Sequence, residues 1–208
     1  MSSKNRKRLL TTRELTTVAI LAAIAAVLFM VEIPIVLFYK LDLSNLPVLL
    51  GTFSMGPLAG TLILLVKSAL GLLHSSSQGV GELADFLMGF AMVLPAGLIY
   101  QRHKTRSAAI AGMAAGAVAA TVVGVVSNVY IMIPFYGVAY GMPVDAIVSM
   151  GQAIVPAIDS LWKFVLLITA PFNLLKWIVI SVLGALMYKP LSPILHGRKR
   201  RVAEEKAQ

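Results

Sequence analysis

The sequence predicts an all-α integral membrane protein: a bundle of six transmembrane helices with both termini in the cytoplasm. Three observations carry that prediction. Of 208 residues, 58% are hydrophobic and only 13% charged, and mean hydropathy is +0.85; a soluble domain of that composition lacks the polar surface to cover its outside. Several apolar runs approach or exceed the roughly 20 residues that cross a hydrocarbon core. All Lys and Arg except Lys40, Lys67, Lys163 and Lys176 lie in the N-terminal tail or at Arg13 just inside the first helix, in the Gln101–Arg106 turn, or beyond Tyr188. Six spans bring those three segments to one side, which the positive-inside rule assigns to the cytoplasm. The bundle covers residues 12–190, between basic tails at 1–11 and 191–208.

Taken in order, the first helix runs from Thr12 to Val31. The loop Glu32–Asp42 follows, with Pro34 and the pair Tyr39–Lys40. The second helix is short, Leu43–Ser54, with Asp42 or Ser44 as its N-cap. Gly56–Pro57 breaks the chain, and the third helix continues to Leu73. His74–Gly81 is a polar loop rich in Ser and Gly. The fourth helix, Glu82–Tyr100, carries the acids Glu82 and Asp85 in its first turn, where the helix dipole favours them. The fifth spans Ser107–Ile133. In the long connection Pro134–Ser160, Val144–Ile158 reads as a re-entrant or interfacial helix, because a seventh span there would put Arg198–Arg201 outside. The sixth helix, Leu161–Tyr188, is bent or interrupted at Pro171.

Composition excludes several functions. There are no cysteines, so disulfides, thiolate metal sites and Cys lipidation are ruled out. The formal charge is +9, yet it sits at helix ends rather than on a nucleic-acid face. Lys4–Arg8 is like the basic start of a cleavable leader, but the apolar stretch after it is too long and no cleavage site is clear. No phosphate-binding loop is present, so ATP hydrolysis belongs elsewhere. No metal-type spacing and no nucleophile–base pair can be placed, which leaves catalytic and metal roles without residues. His74 is a lone loop histidine, and Lys67 snorkels or stays without an assigned role.

Two seams of small residues permit close helix approach where lipid gives no hydrophobic drive. Ala108, Gly112, Gly116, Ala120 and Gly124 recur every four residues on the fifth helix, and Asn128 is the next step. Ala19, Ala22, Ala23 and Ala26 form the second seam, on the first helix. It packs within the bundle or serves as a docking strip for another membrane subunit.

Asn173 and Lys176 lie deep in the last span, one helical turn apart and on one face. Polar groups at that depth face a partner, a cavity or a ligand. Either they are internal glue, with Lys176 snorkelling or paired to Asp159 or Asp85, or they bind something together with Asn128. An amide offers a donor and an acceptor side by side, matching the edge of an imide or amide heterocycle. Lys176 can donate to a carbonyl or hydroxyl. Tyr39, Phe135, Tyr136, Tyr140 and Trp162 could supply flat walls. Gly79, Val80 and Gly81 precede Glu82, and the two glycines leave backbone N–H groups open to an approaching ligand.

Six segments together resemble a known family: Tyr39-Lys40-Leu41-Asp42 with Ser44-Asn45-Leu46-Pro47, Gly56-Pro57-Leu58-Ala59-Gly60, Gly79-Val80-Gly81-Glu82-Leu83-Ala84-Asp85-Phe86, Asn128 through Tyr136, and Pro171-Phe172-Asn173-Leu174-Leu175-Lys176. In this order they are similar to the substrate-binding S components of energy-coupling factor (ECF) vitamin transporters, most of all the riboflavin-specific branch. The resemblance implies a six-helix bundle in the bacterial plasma membrane with a vitamin pocket near the outer surface. It implies ligand contacts at Asn128, Asn173 and Lys176, a pocket edge at Gly79–Glu82, and a lining from the loop that holds Tyr39, Lys40 and Asp42. It further implies docking of Ala19 and Ala23 on a transmembrane coupling subunit that carries two ATPase subunits. Riboflavin is then the transported ligand, with FMN left open and no cofactor expected. Two alternatives stand beside it: another vitamin on the same scaffold, or a lipid-modifying enzyme using Glu82, Asp85 and His74.

Overall fold

The computed structural model describes residues 10–205, with side chains described up to Met187. The readings made for Lys4–Arg8 and for the side chains of the 191–208 tail lie outside the described residues. Helix α1 spans Thr12–Phe29 and is capped by Thr11, whose hydroxyl accepts from the Glu14 amide while Glu14 reaches back. This is a capping box. Strands β1 (Ile33–Val36) and β2 (Tyr39–Leu41) follow, then α2 (Asn45–Met55) and α3 (Pro57–Gly71). Helix α4 covers Val80–Arg102, and α5 covers Arg106–Ser127. A π turn, Asn128–Met132, links α5 to α6 (Ile133–Tyr140). After α7 (Val144–Gln152), α8 (Leu161–Phe164) passes through a second π turn, Val165–Thr169, into α9 (Ala170–Glu205).

Three local features differ from the sequence reading. The Glu32–Asp42 loop is an antiparallel hairpin, pairing Ile33 with Leu41 and Pro34 with Lys40. Its turn has no Gly or Asn; Leu37 itself takes the left-handed conformation, with φ 51°, which a leucine rarely adopts. The fifth helix does not stop at Ile133 but continues to Tyr140. Proline lacks the N–H for an i−4 bond, and the π turn immediately before Pro134 shifts the ladder so that the helix survives. The same arrangement precedes Pro171: each proline follows a five-residue π turn by one residue. The expected bend at Pro171 therefore takes the form of a π bulge.

Five helical segments are long and apolar enough to cross a membrane: Thr12–Phe29, Pro57–His74, Val80–Arg102, Arg106–Tyr140 and Leu161–Met187. The expected second span is shorter. Helix α2 has 11 residues, about 16 Å at the helical rise, against roughly 30 Å of hydrocarbon. Nearly all of it is buried. Neighbouring helices rather than lipid surround it, so it need not match the bilayer.

The stripe on α5 does what its spacing predicts. Ala108, Gly112, Gly116, Ala120 and Gly124 are all buried. A Cβ on Gly112 would meet the Ala96 backbone oxygen at 2.8 Å, and one on Gly116 would meet that of Met92 at 2.6 Å. These backbones touch because no side chain separates them. Gly116→Val is therefore expected to destabilise the bundle by about 1–3 kcal/mol through overpacking. The helix-propensity gain over Gly, roughly 0.3 kcal/mol, is too small to offset it. Thermal unfolding in detergent checks this; an unchanged midpoint would mean that α4 can move away without cost.

The seam on α1 is not one strip. Val18, Ala22 and Ala25 are buried against α2 and α3, whereas Ala19 and Ala23 are exposed and Ala26 half-buried. Ala22 lies about 100° round the helix from Ala23, in line with buried Val18 and Ala25 one turn to either side. Ala22 therefore drops out of any outward-facing docking strip.

Candidate functional site

A cavity of about 360 Å³ opens at the hairpin end of the bundle, lined from α4, the α5–α6 helix, α9, the hairpin and the 76–77 loop. That volume lies within the range of small-molecule sites. The two least exposed of its polar lining residues are amides. Asn128 opens the first π turn and Asn173 sits in the first turn of α9, both buried. The Asn128 Nδ2 donates to the Gly124 carbonyl at 2.8 Å, and the Asn173 Nδ2 to that of Thr169 at 3.0 Å. A Cβ on Gly124 would lie 2.8 Å from the Asn173 Nδ2, so glycine there makes room for the Asn173 amide against the residue whose carbonyl holds Asn128. The Tyr39 hydroxyl joins them. It donates to the Asn128 Oδ1 at 2.9 Å, and its oxygen is hydrogen-bonded to the Thr169 hydroxyl. With one phenolic proton committed to Asn128, Thr169 must be the donor in the second bond. Burial pushes the Tyr39 phenol well above the usual tyrosine value, so it remains a neutral donor. Each amide keeps one N–H uncommitted, and the Asn173 Oδ1 has no hydrogen bond among the described residues.

Flat walls flank these amides. Tyr39 stacks on Phe172 at 5.1 Å and 29°, and Phe38 packs against Tyr39 at 4.7 Å and Tyr136 at 5.5 Å. Met88 and Met132 also line the space. Such surfaces accept a planar ring and leave its orientation to the polar groups.

The remaining polar wall is ionic. The Lys176 ammonium donates to the Asp42 Oδ2 at 2.8 Å and the Asp85 Oδ1 at 3.1 Å. Lys67 reaches the other oxygen of Asp85 from α3, and also donates to the Ser44 hydroxyl at 3.0 Å and the Asn45 Oδ1 at 3.1 Å. Its ammonium lies 5.0 Å from the centre of the Phe29 ring, within cation–π range. Two lysines and two aspartates thus cancel in charge, and all four are buried. At the rim, Lys40 pairs with Glu32 and reaches the Ser76 hydroxyl at 3.4 Å, while the Tyr140 hydroxyl donates to the Ser76 carbonyl at 3.1 Å. Hairpin, loop and α6 are thereby tied together over the cavity.

Of the expected binding residues, Tyr39, Lys40, Asp42, Gly81, Glu82, Asn128, Asn173 and Lys176 all line this cavity, and Gly79 and Val80 do not. The expected open amides are corrected. The Gly79 N–H donates to the Ser75 hydroxyl and the Gly81 N–H to that of Ser77, each at 2.8 Å. Val80 is buried in the core. Among the expected walls Tyr136 and Tyr140 serve, but Phe135 packs on the core and half-exposed Trp162 sits edge-on to Tyr130 at 6.4 Å. Neither Asp42 nor Ser44 caps α2 through its side chain; Asp42 instead accepts from the Ser44 amide at 2.9 Å and holds Lys176. Asp159 pairs with Lys163 at the surface rather than with Lys176. Sequence reasoning missed Lys67, Thr169, Phe38 and Phe172. Only Lys67 gave a signal, a charge within an apolar run.

Residues 13–188 match the family model for the substrate-specific component of ECF transporters. The chain belongs to this family. A riboflavin transporter of Staphylococcus aureus, RibU, is 32% identical over 198 residues, covering 94% of this chain and 98% of that one. The riboflavin transporter FmnP of Bacillus subtilis is 26% identical over 187 residues, covering 87% and 93%. A solved structure of the S component of a bacterial ECF transporter superposes with TM-score 0.69 at 33% identity, covering 88% of this chain and 98% of that one. This substrate-specific component is accordingly a multi-pass membrane protein and a transport subunit rather than an enzyme. Its partners are other components of an ECF transporter.

Proposed function

We propose that this chain is the riboflavin-binding subunit of an ATP-driven ECF uptake transporter, taking the vitamin from outside the cell to the cytoplasm. One observation carries the reading: two buried amides, each with an uncommitted N–H, line one cavity together with aromatic walls, in a chain whose relatives are riboflavin transporters. The flavin ring has an imide edge, an acceptor–donor–acceptor row. The Asn173 Oδ1 suits its N–H, and the uncommitted amide N–H groups suit its carbonyls. Tyr39, Phe38 and Phe172 suit the flat ring, while Lys40, Asp42, Gly81, Glu82 and Lys176 suit the hydroxylated side chain. Gly79 and Val80 support that wall from behind.

Six membrane segments with both termini in the cytoplasm fit the packing. Gly56, after α2, abuts the Gln101 side chain at the far end of α4, and Pro57 packs on Gly97. Asp42, before α2, lines the cavity instead. Helix α2 thus connects the two ends of the bundle despite its length. Six crossings would bring both ends of the chain to the side of the basic Gln101–Arg106 turn, which the positive-inside rule assigns to the cytoplasm. Exposed Ala19 and Ala23, flanked by half-buried Ala26, form a smooth face on α1 for the transmembrane coupling subunit, which would carry the two ATPases.

The test is an equilibrium titration of the purified full-length chain in detergent. Riboflavin fluorescence should quench saturably at one equivalent, with thiamine and biotin failing to compete. Absence of saturable quenching, or displacement by thiamine or biotin, would overturn the assignment.

A further inference from the structure

The charges around the cavity do not balance, and the imbalance is at one residue. Glu32, Asp42, Glu82 and Asp85 line it, with Lys40 and Lys176 as the lining cations and Lys67 behind Asp85. Lys40 answers Glu32, Lys176 answers Asp42, and Lys67 answers Asp85. Glu82 forms no salt bridge among the described residues, although it is only 7% exposed. Its Oε2 accepts from the Ser75 hydroxyl at 2.8 Å and the Ser77 hydroxyl at 3.0 Å. Those two hydroxyls in turn accept from the Gly79 and Gly81 amides, so the loop fixes the carboxylate without neutralising it. The Oε1 has no hydrogen bond among the described residues.

From this we infer that Glu82 is a specificity determinant: its uncompensated negative charge selects the neutral vitamin over the phosphate monoester of the same compound. The inference rests on the flavin reading above. A phosphate monoester carries between one and a half and two negative charges near neutrality, by the usual second ionisation. Placed beside the buried Glu82, against low-dielectric walls, it meets that charge with less screening than in bulk water. Each lysine of the wall is already matched by a carboxylate, so none brings an unbalanced positive charge to offset Glu82. A hydroxyl, by contrast, can donate to the open Oε1. One residue therefore favours the alcohol and penalises its phosphate.

The experiment compares dissociation constants of riboflavin and FMN on the full-length protein in detergent, at one pH and one ionic strength. Wild type should bind riboflavin at least about tenfold more tightly than FMN. In Glu82→Gln, which keeps the shape and the serine bonds, that ratio should fall by about tenfold, and Glu82→Asp should largely restore it. An unchanged ratio in Glu82→Gln, or equal affinities in wild type, overturns the inference while leaving riboflavin binding intact. Absence of riboflavin binding to wild type would instead sink the functional reading, and this one with it. A neutral probe, 5′-acetylriboflavin, makes the test independent of any variant's folding. It should bind wild type more tightly than FMN does. If it is rejected as strongly as FMN, size rather than charge excludes the phosphate and Glu82 has no such role.

Discussion

Asp85→Asn is expected to destabilise the protein more than any other single change at the site, by about 3–5 kcal/mol. Asp85 is the joint of the buried network: its Oδ1 accepts from Asn45 at 2.9 Å and Lys176 at 3.1 Å, and its Oδ2 accepts from Lys67. With the carboxylate gone, Asp42 alone faces two ammoniums. Lys176 keeps Asp42, but Lys67, with no exposure at all, keeps only neutral partners: the oxygens of Ser44 and Asn45 and the Phe29 ring. An uncompensated buried charge is the costly outcome, because water no longer solvates it and nothing replaces the water. Chemical denaturation in detergent should show the loss. Lys67→Met added to Asp85→Asn should recover part of it, since the orphaned charge is then removed too. If Asp85→Asn unfolds like wild type, water reaches Lys67 and the network is not dry.

This network also marks where the sequence was legible and where it was not. Lys176 and Asn173 announced themselves, because polar groups in an apolar run at helical spacing have few reasons to exist. Their partners did not. Lys67 pairs with Asp85 across 18 residues, and Lys176 with Asp42 across 134; no periodicity encodes a contact between distant segments. The α5 stripe was readable for the opposite reason, being a local pattern whose consequence is local packing. The hairpin read as a plain loop because its turn rests on Leu37 in a conformation that leucine seldom takes. The open amides of the 79–81 segment were misjudged because Ser75 and Ser77, rich in acceptors, lie close enough in sequence to claim them first. On α1, four alanines within eight residues looked like one surface, and the helical repeat divides them between core and exterior.

Asn173→Ala is expected to weaken riboflavin binding by roughly 5- to 150-fold, the range for leaving a buried hydrogen-bonding group unpaired. The two amides are not equivalent witnesses. Asn128 accepts from Tyr39 and donates to Gly124, so Asn128→Ala also releases the hairpin that Tyr39 anchors and lowers affinity by a second route. Asn173 spends one N–H on Thr169 and leaves its oxygen uncommitted, so its loss reports mainly on the ligand. Lys176→Met is less clean than either, since it strips Asp42 of its cation. The discriminating measurement pairs affinity with stability for each variant. Asn173→Ala should lose affinity with little change in the unfolding midpoint of the ligand-free protein, whereas Asn128→Ala and Lys176→Met should lose both. If Asn173→Ala binds riboflavin as wild type does, the imide is not read at this amide pair and the flavin lies elsewhere in the cavity.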